Sequence, residues 1–392
     1  MLVRRLLLPF AAIVFALLYA ALAEDTQVVA RNEQPPAIQV ASVNTVSSPL
    51  DTAEQPAALA NPATSTALAP AATSNHAATP TPVRAQPQQE TLRDEAHNIV
   101  ERIATPYQTP PLSGSILNST ARQALVNILC QPRAGGSLRP ISGSGVIIDP
   151  RGVILTNAHV AQYVLLSEDP SIDLSCTIRT GSPAYPTWTA AVLYIPPAWV
   201  RAHVAELNEE HPRGTGEYDY ALLYILGNVN DSGRPTSFPA LSADTRHLIG
   251  FSGDSVILAA YPAEFAGGIT VQKDLYAASA FTTIKQLLTI GGETVDELSL
   301  GGTITAQSGS SGGAVVNEWG RLIGLIVTTS AGATTAERNL NALTLYYIDQ
   351  NLMAQTGKDL ASFLAGDLRQ KLDEFDTTAA SLIDLYLEQL RR

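Results

Sequence analysis

At 392 residues, with 45% hydrophobic and 15% charged side chains, the chain is long enough for one large domain or two of medium size. Acids outnumber bases to a formal net charge of −12, which repels polyanions and argues against nucleic acid as a partner.

Residues 1–23 read as an export signal. Arg4 and Arg5 precede an apolar run from Leu6 to Ala20, and Ala21-Leu22-Ala23 supplies small residues for cleavage before Glu24. The alternative is an uncleaved membrane anchor, because Leu6 to Ala23 is close to bilayer length. Both place the remainder outside the cytoplasm, since the basic residues stay on the inner side. Residues 24–90 are dominated by Ala, Pro, Thr, Ser and Gln, too little apolar surface to offset the entropy of ordering, which predicts a disordered tether. Within 91–112, Leu92, Ala96, Ile99, Val100 and Ile103 share one helical face, which predicts a short helix followed by a linker.

Residues 113–348 change to short apolar runs separated by turn signals. The predicted strands include Ala124 to Leu129, Gly145 to Ile148, Val153 to Thr156, Ala221 to Leu226, Ser255 to Ala259, Gly313 to Val316, Leu322 to Thr328 and Ala342 to Tyr347. Strands of this length without intervening long helices predict an antiparallel sandwich or barrel. Asp149-Pro150-Arg151-Gly152 and Asn317-Glu318-Trp319-Gly320 supply the residues of two hairpin turns.

The tail, 349–392, reads as helical, with a break near Gly366 and a stripe that includes Leu360, Phe363, Leu368, Leu372, Phe375 and Leu382. Such a stripe must be covered. The expectation is that 349–365 folds back on the domain and that 367–392 pairs with a second copy. Cys130 and Cys176 are the two cysteines. They form no metal motif and lack redox spacing, so in an oxidising compartment they predict one disulfide.

Three segments carry chemistry. Ser311 lies in Gln307-Ser308-Gly309-Ser310-Ser311-Gly312-Gly313-Ala314. A serine hydroxyl needs a base within hydrogen-bond reach and donors for the oxyanion that forms on its substrate. The glycines let the backbone aim the N–H groups of Gly309 and Ser311 at one point. His159, in Leu155-Thr156-Asn157-Ala158-His159-Val160, is the histidine that a β-scaffold would hold rigidly. Asp219, in Tyr218-Asp219-Tyr220-Ala221-Leu222-Leu223, opens an apolar run, where a carboxylate is costly unless it is hydrogen-bonded. A catalytic imidazole is such a partner.

In that order, T-N-A-H-V, D-Y-A-L-L and G-S-S-G-G-A resemble the His, Asp and Ser motifs of trypsin-like peptidases, and the chain is most similar to the bacterial HtrA/Deg type. Gly143 to Ile148, and Gly253-Asp254-Ser255-Val256 with Tyr261-Pro262, resemble further strands of that family. The order differs from subtilisin and α/β-hydrolase arrangements. The resemblance implies a mainly β, chymotrypsin-like double antiparallel β-barrel, here with N- and C-terminal helical extensions. It also implies an endopeptidase acting on protein or peptide substrates with no metal or cofactor. The residue six before the nucleophile, Thr305, would line the primary pocket. With Thr328 and Thr329 it implies cleavage after small or medium apolar residues. Digestive relatives carry Asp where Ser310 stands and an Ile-Val-Gly-Gly activation site that is missing here, so activation by that ion pair is unavailable. The residues after 348 are too few for the PDZ domain usual in HtrA proteins. Readings of another class are a catalytically silent peptide-binding module and an envelope-tethered scaffold.

Overall fold

Runs rich in Val, Ile and Leu, alternately facing in and out, build two β-structures that meet along one seam. The computed structural model describes residues 106–391 apart from 134–137, 208–215, 330–331 and 333. The expected signal or anchor, the tether and the helix of 91–104 lie outside the described residues. Among the described residues, no helix is long and apolar enough to cross a membrane.

The domain opens with a helix where the sequence suggested β-texture. Helix α1, Gly114–Gln123, starts at Ser113, whose hydroxyl accepts the Ile116 N–H, and buries Leu117 and Ala121 four residues apart on one face.

Six strands form the first barrel: β1 Leu125–Gln131, β2 Ile141–Asp149, β3 Val153–Thr156, β4 Ser175–Thr180, β5 Tyr185–Tyr194 and β6 Ala221–Asn228. Their order is β1-β2-β3-β6-β5-β4, and β4 returns to pair with β1, so the barrel is closed. Gly152, at φ +92°, closes the β2–β3 turn by donating to the Asp149 carbonyl at 2.8 Å. Val126, Ile128, Ile147, Ile154, Ile178, Val192 and Leu223 belong to its buried core. Cys130 and Cys176 are register partners on β1 and β4 and form a disulfide. Two helices decorate this barrel: α2, Ala158–Ser167, and α3, Pro197–His203.

The second structure comprises β7 Ser255–Ala260, the short helix α4 Gly268–Lys273, β8 Ala278–Thr283, β9 Gln286–Leu288, β10 Glu297–Gly301, β11 Ala314–Asn317, β12 Leu322–Thr329 and β13 Leu340–Thr344. Its strand order is β8-β7-β11-β12-β13-β10-β9. The two edge strands, β8 and β9, are separated in sequence only by Ile284 and Lys285, so the sheet wraps around on itself. The molecule is therefore mainly β, with the double-barrel architecture of the chymotrypsin fold and added C-terminal helices.

Two expectations need correction. The predicted strand Ala342 to Tyr347 ends at Thr344, because the Thr344 hydroxyl accepts the Tyr347 N–H and caps helix α5, Leu345–Thr356. Gly357, at φ +73°, ends that helix. After α6, Leu360–Leu364, the break expected near Gly366 is present, at φ +82°, and α7 runs from Leu368 to Leu390. The second correction concerns that helix. Its stripe was expected to meet another copy. Instead α7 packs on β5, α2 and α3 of its own chain, with Leu368, Ala379, Leu382, Ile383 and Tyr386 buried.

Candidate active site

His159 sits in the first turn of α2, directly after strand β3 ends at Thr156. The Asn157 side chain, at the helix N-cap, donates to the Asp219 carbonyl at 2.8 Å and ties the two segments together. Asp219 lies just before β6 and is 6% exposed. Its carboxylate accepts twice from the histidine, from the backbone N–H through Oδ1 at 2.9 Å and from Nδ1–H through Oδ2 at 2.7 Å. That second bond fixes the tautomer and leaves Nε2 as the free base. Burial alone lowers the basicity of the imidazole, but the Asp219 charge and hydrogen bond outweigh it and raise the His159 pKa above the ordinary value.

Ser311 comes from the other barrel, on the loop before β11. Its carbonyl accepts the Ser144 N–H at 2.8 Å. Ser144 on β2 accepts, through its own carbonyl, the Thr156 hydroxyl at 2.7 Å. Ser311 is therefore anchored beside the strand end that launches the histidine helix. Gly312 permits this approach: at φ +85°, a Cβ there would fall 2.0 Å from the Ser144 carbonyl oxygen. Among the described residues no hydrogen bond joins the Ser311 hydroxyl to His159. Catalytic hydrogen bonds of this type commonly tighten only in the substrate complex.

The two N–H groups singled out in the sequence are oriented by their neighbours' carbonyls. A trans peptide points its C=O and N–H in opposite directions. The Ser308 carbonyl accepts from Ala263 N–H at 2.8 Å, which turns the Gly309 N–H the other way. The Ser310 carbonyl accepts from Gly313 N–H at 2.9 Å and does the same for the Ser311 N–H. Neither of these two N–H groups has a partner among the described residues. Gly309 itself has φ +90°, and a Cβ there would lie 2.7 Å from the Tyr261 carbonyl oxygen. The loop is thus a preset pair of donors next to a serine, with a polarised imidazole anchored alongside.

Several residues that sequence reasoning missed hold this loop. The Ser144 hydroxyl donates to the Gly309 carbonyl at 2.7 Å and accepts the Tyr261 N–H at 2.9 Å. Glu264 accepts the Ser308 N–H at 3.2 Å and is ion-paired to Arg338, which also donates to the Ala306 carbonyl at 3.0 Å. Glu297 on β10 is a buried acid beside Gly216, with Oε2 held by Asn341 and Oε1 unpartnered. Burial and the neighbouring Asp296 push its carboxyl up to about 7, against the Asn341 hydrogen bond. The one signal available beforehand was Ser144 itself, a serine between two glycines just ahead of the apolar run Val146 to Ile148.

The remaining candidates are placed as follows. Ser310 is buried, and its hydroxyl has no partner. Thr305 is fully buried and shares a 2.6 Å hydrogen bond with Thr303. Thr328 and Thr329 end β12, opposite Asn341 and Leu340, with side chains outside the described residues. Of the other described histidines, His203 stacks on Trp199 and His247 packs against Tyr346, neither near an acid–serine pair.

With this geometry in place, residues 143–325 match the sequence profile of the trypsin-like peptidase domain, a span holding His159, Asp219 and Ser311. The chain therefore carries a trypsin-like peptidase domain. No curated protein matches the chain. Among solved structures, a serine endoprotease from Yersinia pestis is similar at 20% sequence identity and a TM-score of 0.40, covering 64% of this chain and 70% of that one.

Proposed function

We propose that this protein is an exported serine endopeptidase in which His159, Asp219 and Ser311 form the catalytic triad. The observation that supports the reading is an imidazole bound to Asp219, with the Ser311 loop tied through Ser144 to Thr156, three residues before His159. Ser311 Oγ attacks the peptide carbonyl while His159 Nε2 takes its proton, and Asp219 stabilises the imidazolium. The N–H groups of Gly309 and Ser311 hold the oxyanion. His159 then protonates the leaving amine, and water repeats the attack on the acyl-enzyme.

Export through residues 1–23, with 24–90 as a tether, agrees with a disulfide in the first barrel, since such bonds persist in oxidising compartments. The absence of charge at Thr305 favours small or medium apolar side chains before the cut.

The test is turnover of a peptide library by the purified protein. Ser311→Ala is expected to lose about 10⁴-fold or more in turnover without unfolding. Ser310→Ala keeps most activity, because its hydroxyl is buried and makes no hydrogen bond among the described residues. An inactive Ser310→Ala alongside an active Ser311→Ala would overturn the assignment.

A further inference from the structure

Next to the Asp219 segment, with Tyr218 in its lining, lies a groove of about 600 Å³ between β5, α3 and the C-terminal helices. That volume lies within the range of ordinary ligand sites, roughly 300–1,000 Å³. Its floor is aromatic: Tyr194 packs against Phe363 and Phe375 with ring centroids 5.6 and 5.9 Å apart. Three cations line it, Arg201 from α3, Lys358 from the α5–α6 connection and Lys371 from α7, against one carboxylate, Glu374, whose Oε1 accepts from Gln370 at 2.9 Å. Lys371 lies over the Phe363 ring at 5.5 Å. None of the three has an ion-pair partner among the described residues. In a chain with a formal net charge of −12, three cations to one carboxylate around an aromatic floor still form a local reversal of sign.

Tyr218 also lines this groove and immediately precedes Asp219. Its backbone is left-handed, at φ +58°, a conformation costly for a bulky side chain, and its N–H is held by the Tyr347 hydroxyl at 3.2 Å. A ligand pressing on Tyr218 therefore acts one residue from the group that orients His159.

We propose that this groove is a second peptide site, which takes an acidic peptide bearing an apolar or aromatic side chain, and that its occupancy is relayed to Asp219 through Tyr218. Carboxylates meet Arg201, Lys358 and Lys371, while the apolar side chain packs on Phe363 and Phe375. The relay rests on the triad reading; the binding site does not.

The probe is a fluorescein-labelled peptide of glutamates flanking one phenylalanine, titrated by polarisation against the Ser311→Ala protein so that it is not cut. The expected result is saturable binding that weakens with salt. Replacing the glutamates by lysines should abolish it. The double variant Arg201→Glu, Lys371→Glu should weaken it by at least about tenfold, and Lys358→Ala serves if the double variant does not fold. No binding, equal binding of the lysine peptide, or undiminished binding by these variants overturns the site. So does capture by phosphatidylglycerol–phosphatidylcholine vesicles through the same cations without peptide binding, which would make the groove a membrane contact. For the relay, saturating peptide should change the rate at which a fluorophosphonate probe labels the wild-type protein, and the double variant should lose that response. An unchanged rate with the peptide bound overturns the relay alone. Absence of labelling in every condition overturns relay and triad together, while the binding titration still decides the site.

Discussion

His159 must be unprotonated to act as a base, yet Asp219 holds its pKa above the ordinary imidazole value. The consequence is an acidic limb in the pH profile of kcat/KM, with its midpoint above that value. The charged His159–Asp219 pair also contributes stability, fully present below the unfolded-state pKa and lost as pH rises through the folded-state pKa. Asp219→Asn removes the charge that raises the histidine, so the limb moves to lower pH while kcat falls by about 10⁴-fold. A limb that stays in place in Asp219→Asn would show that another group titrates. Glu297 supplies a second residue-scale prediction. Its carboxyl is raised to about 7, so its contribution to stability is greatest at low pH and is lost as pH rises through that value. Glu297→Gln removes the ionisation. Thermal unfolding should show that the drop in Tm from pH 5 to pH 8 is smaller in the variant; an identical drop would mean that Glu297 does not set it.

The long C-terminal helix reaches His159 through two hydrogen bonds. The Tyr386 hydroxyl on α7 donates to Gln162 Oε1 at 3.0 Å, and Gln162 Nε2 donates to the His159 carbonyl at 2.9 Å. Tyr386 is fully buried and Gln162 nearly so, which makes the chain rigid and its loss costly. Tyr386→Phe keeps the ring and deletes the donor. It is expected to lower kcat severalfold with KM unchanged, measured by steady-state kinetics, and a change in Tm without any change in kcat would mark the bond as purely structural. This coupling was not legible in the sequence. The apolar stripe of the tail required burial, but a stripe does not say against what. Helix α2 was hidden for a related reason: Val160, Ala161, Tyr163, Val164, Leu165 and Leu166 are all buried, so the segment has no polar face and no amphipathic period. The β13–α5 boundary was misplaced because Leu345, Tyr346 and Tyr347 continue the apolar run, and the stop is a capping hydroxyl rather than a breaker. By contrast, strands β2, β3 and β11 were readable, since apolar runs with β-branched residues next to the Asp149–Gly152 or Asn317–Gly320 turn specify them locally, and β6 was readable from its apolar run alone. The site was readable as three motifs; its supports were not, because Ser144 and Ser311, or Glu264 and Arg338, meet only in the folded molecule.

At the scale of the whole molecule, the site exists because two barrels are locked together. The first brings His159 and Asp219, and the second brings Ser311 with its two donors. Ser144 crosses the seam at the loop itself, and Arg179 on β4, held within its own barrel by Asn127 Oδ1 at 2.8 Å, crosses it by donating to the Val271 and Gln272 carbonyls at 2.8 and 3.0 Å. Burial pushes the Arg179 guanidinium down to about 10, a cost accepted at this junction. On the proposed mechanism the serine is activated only when both halves are in place, so its reactivity reports on both. The most direct measurement is covalent labelling of the folded protein with a fluorophosphonate, followed by peptide mapping. The account predicts one adduct per chain, on Ser311, lost in His159→Ala and strongly slowed in Asp219→Asn. An adduct on Ser310 or elsewhere, or an unlabelled folded protein, would contradict it.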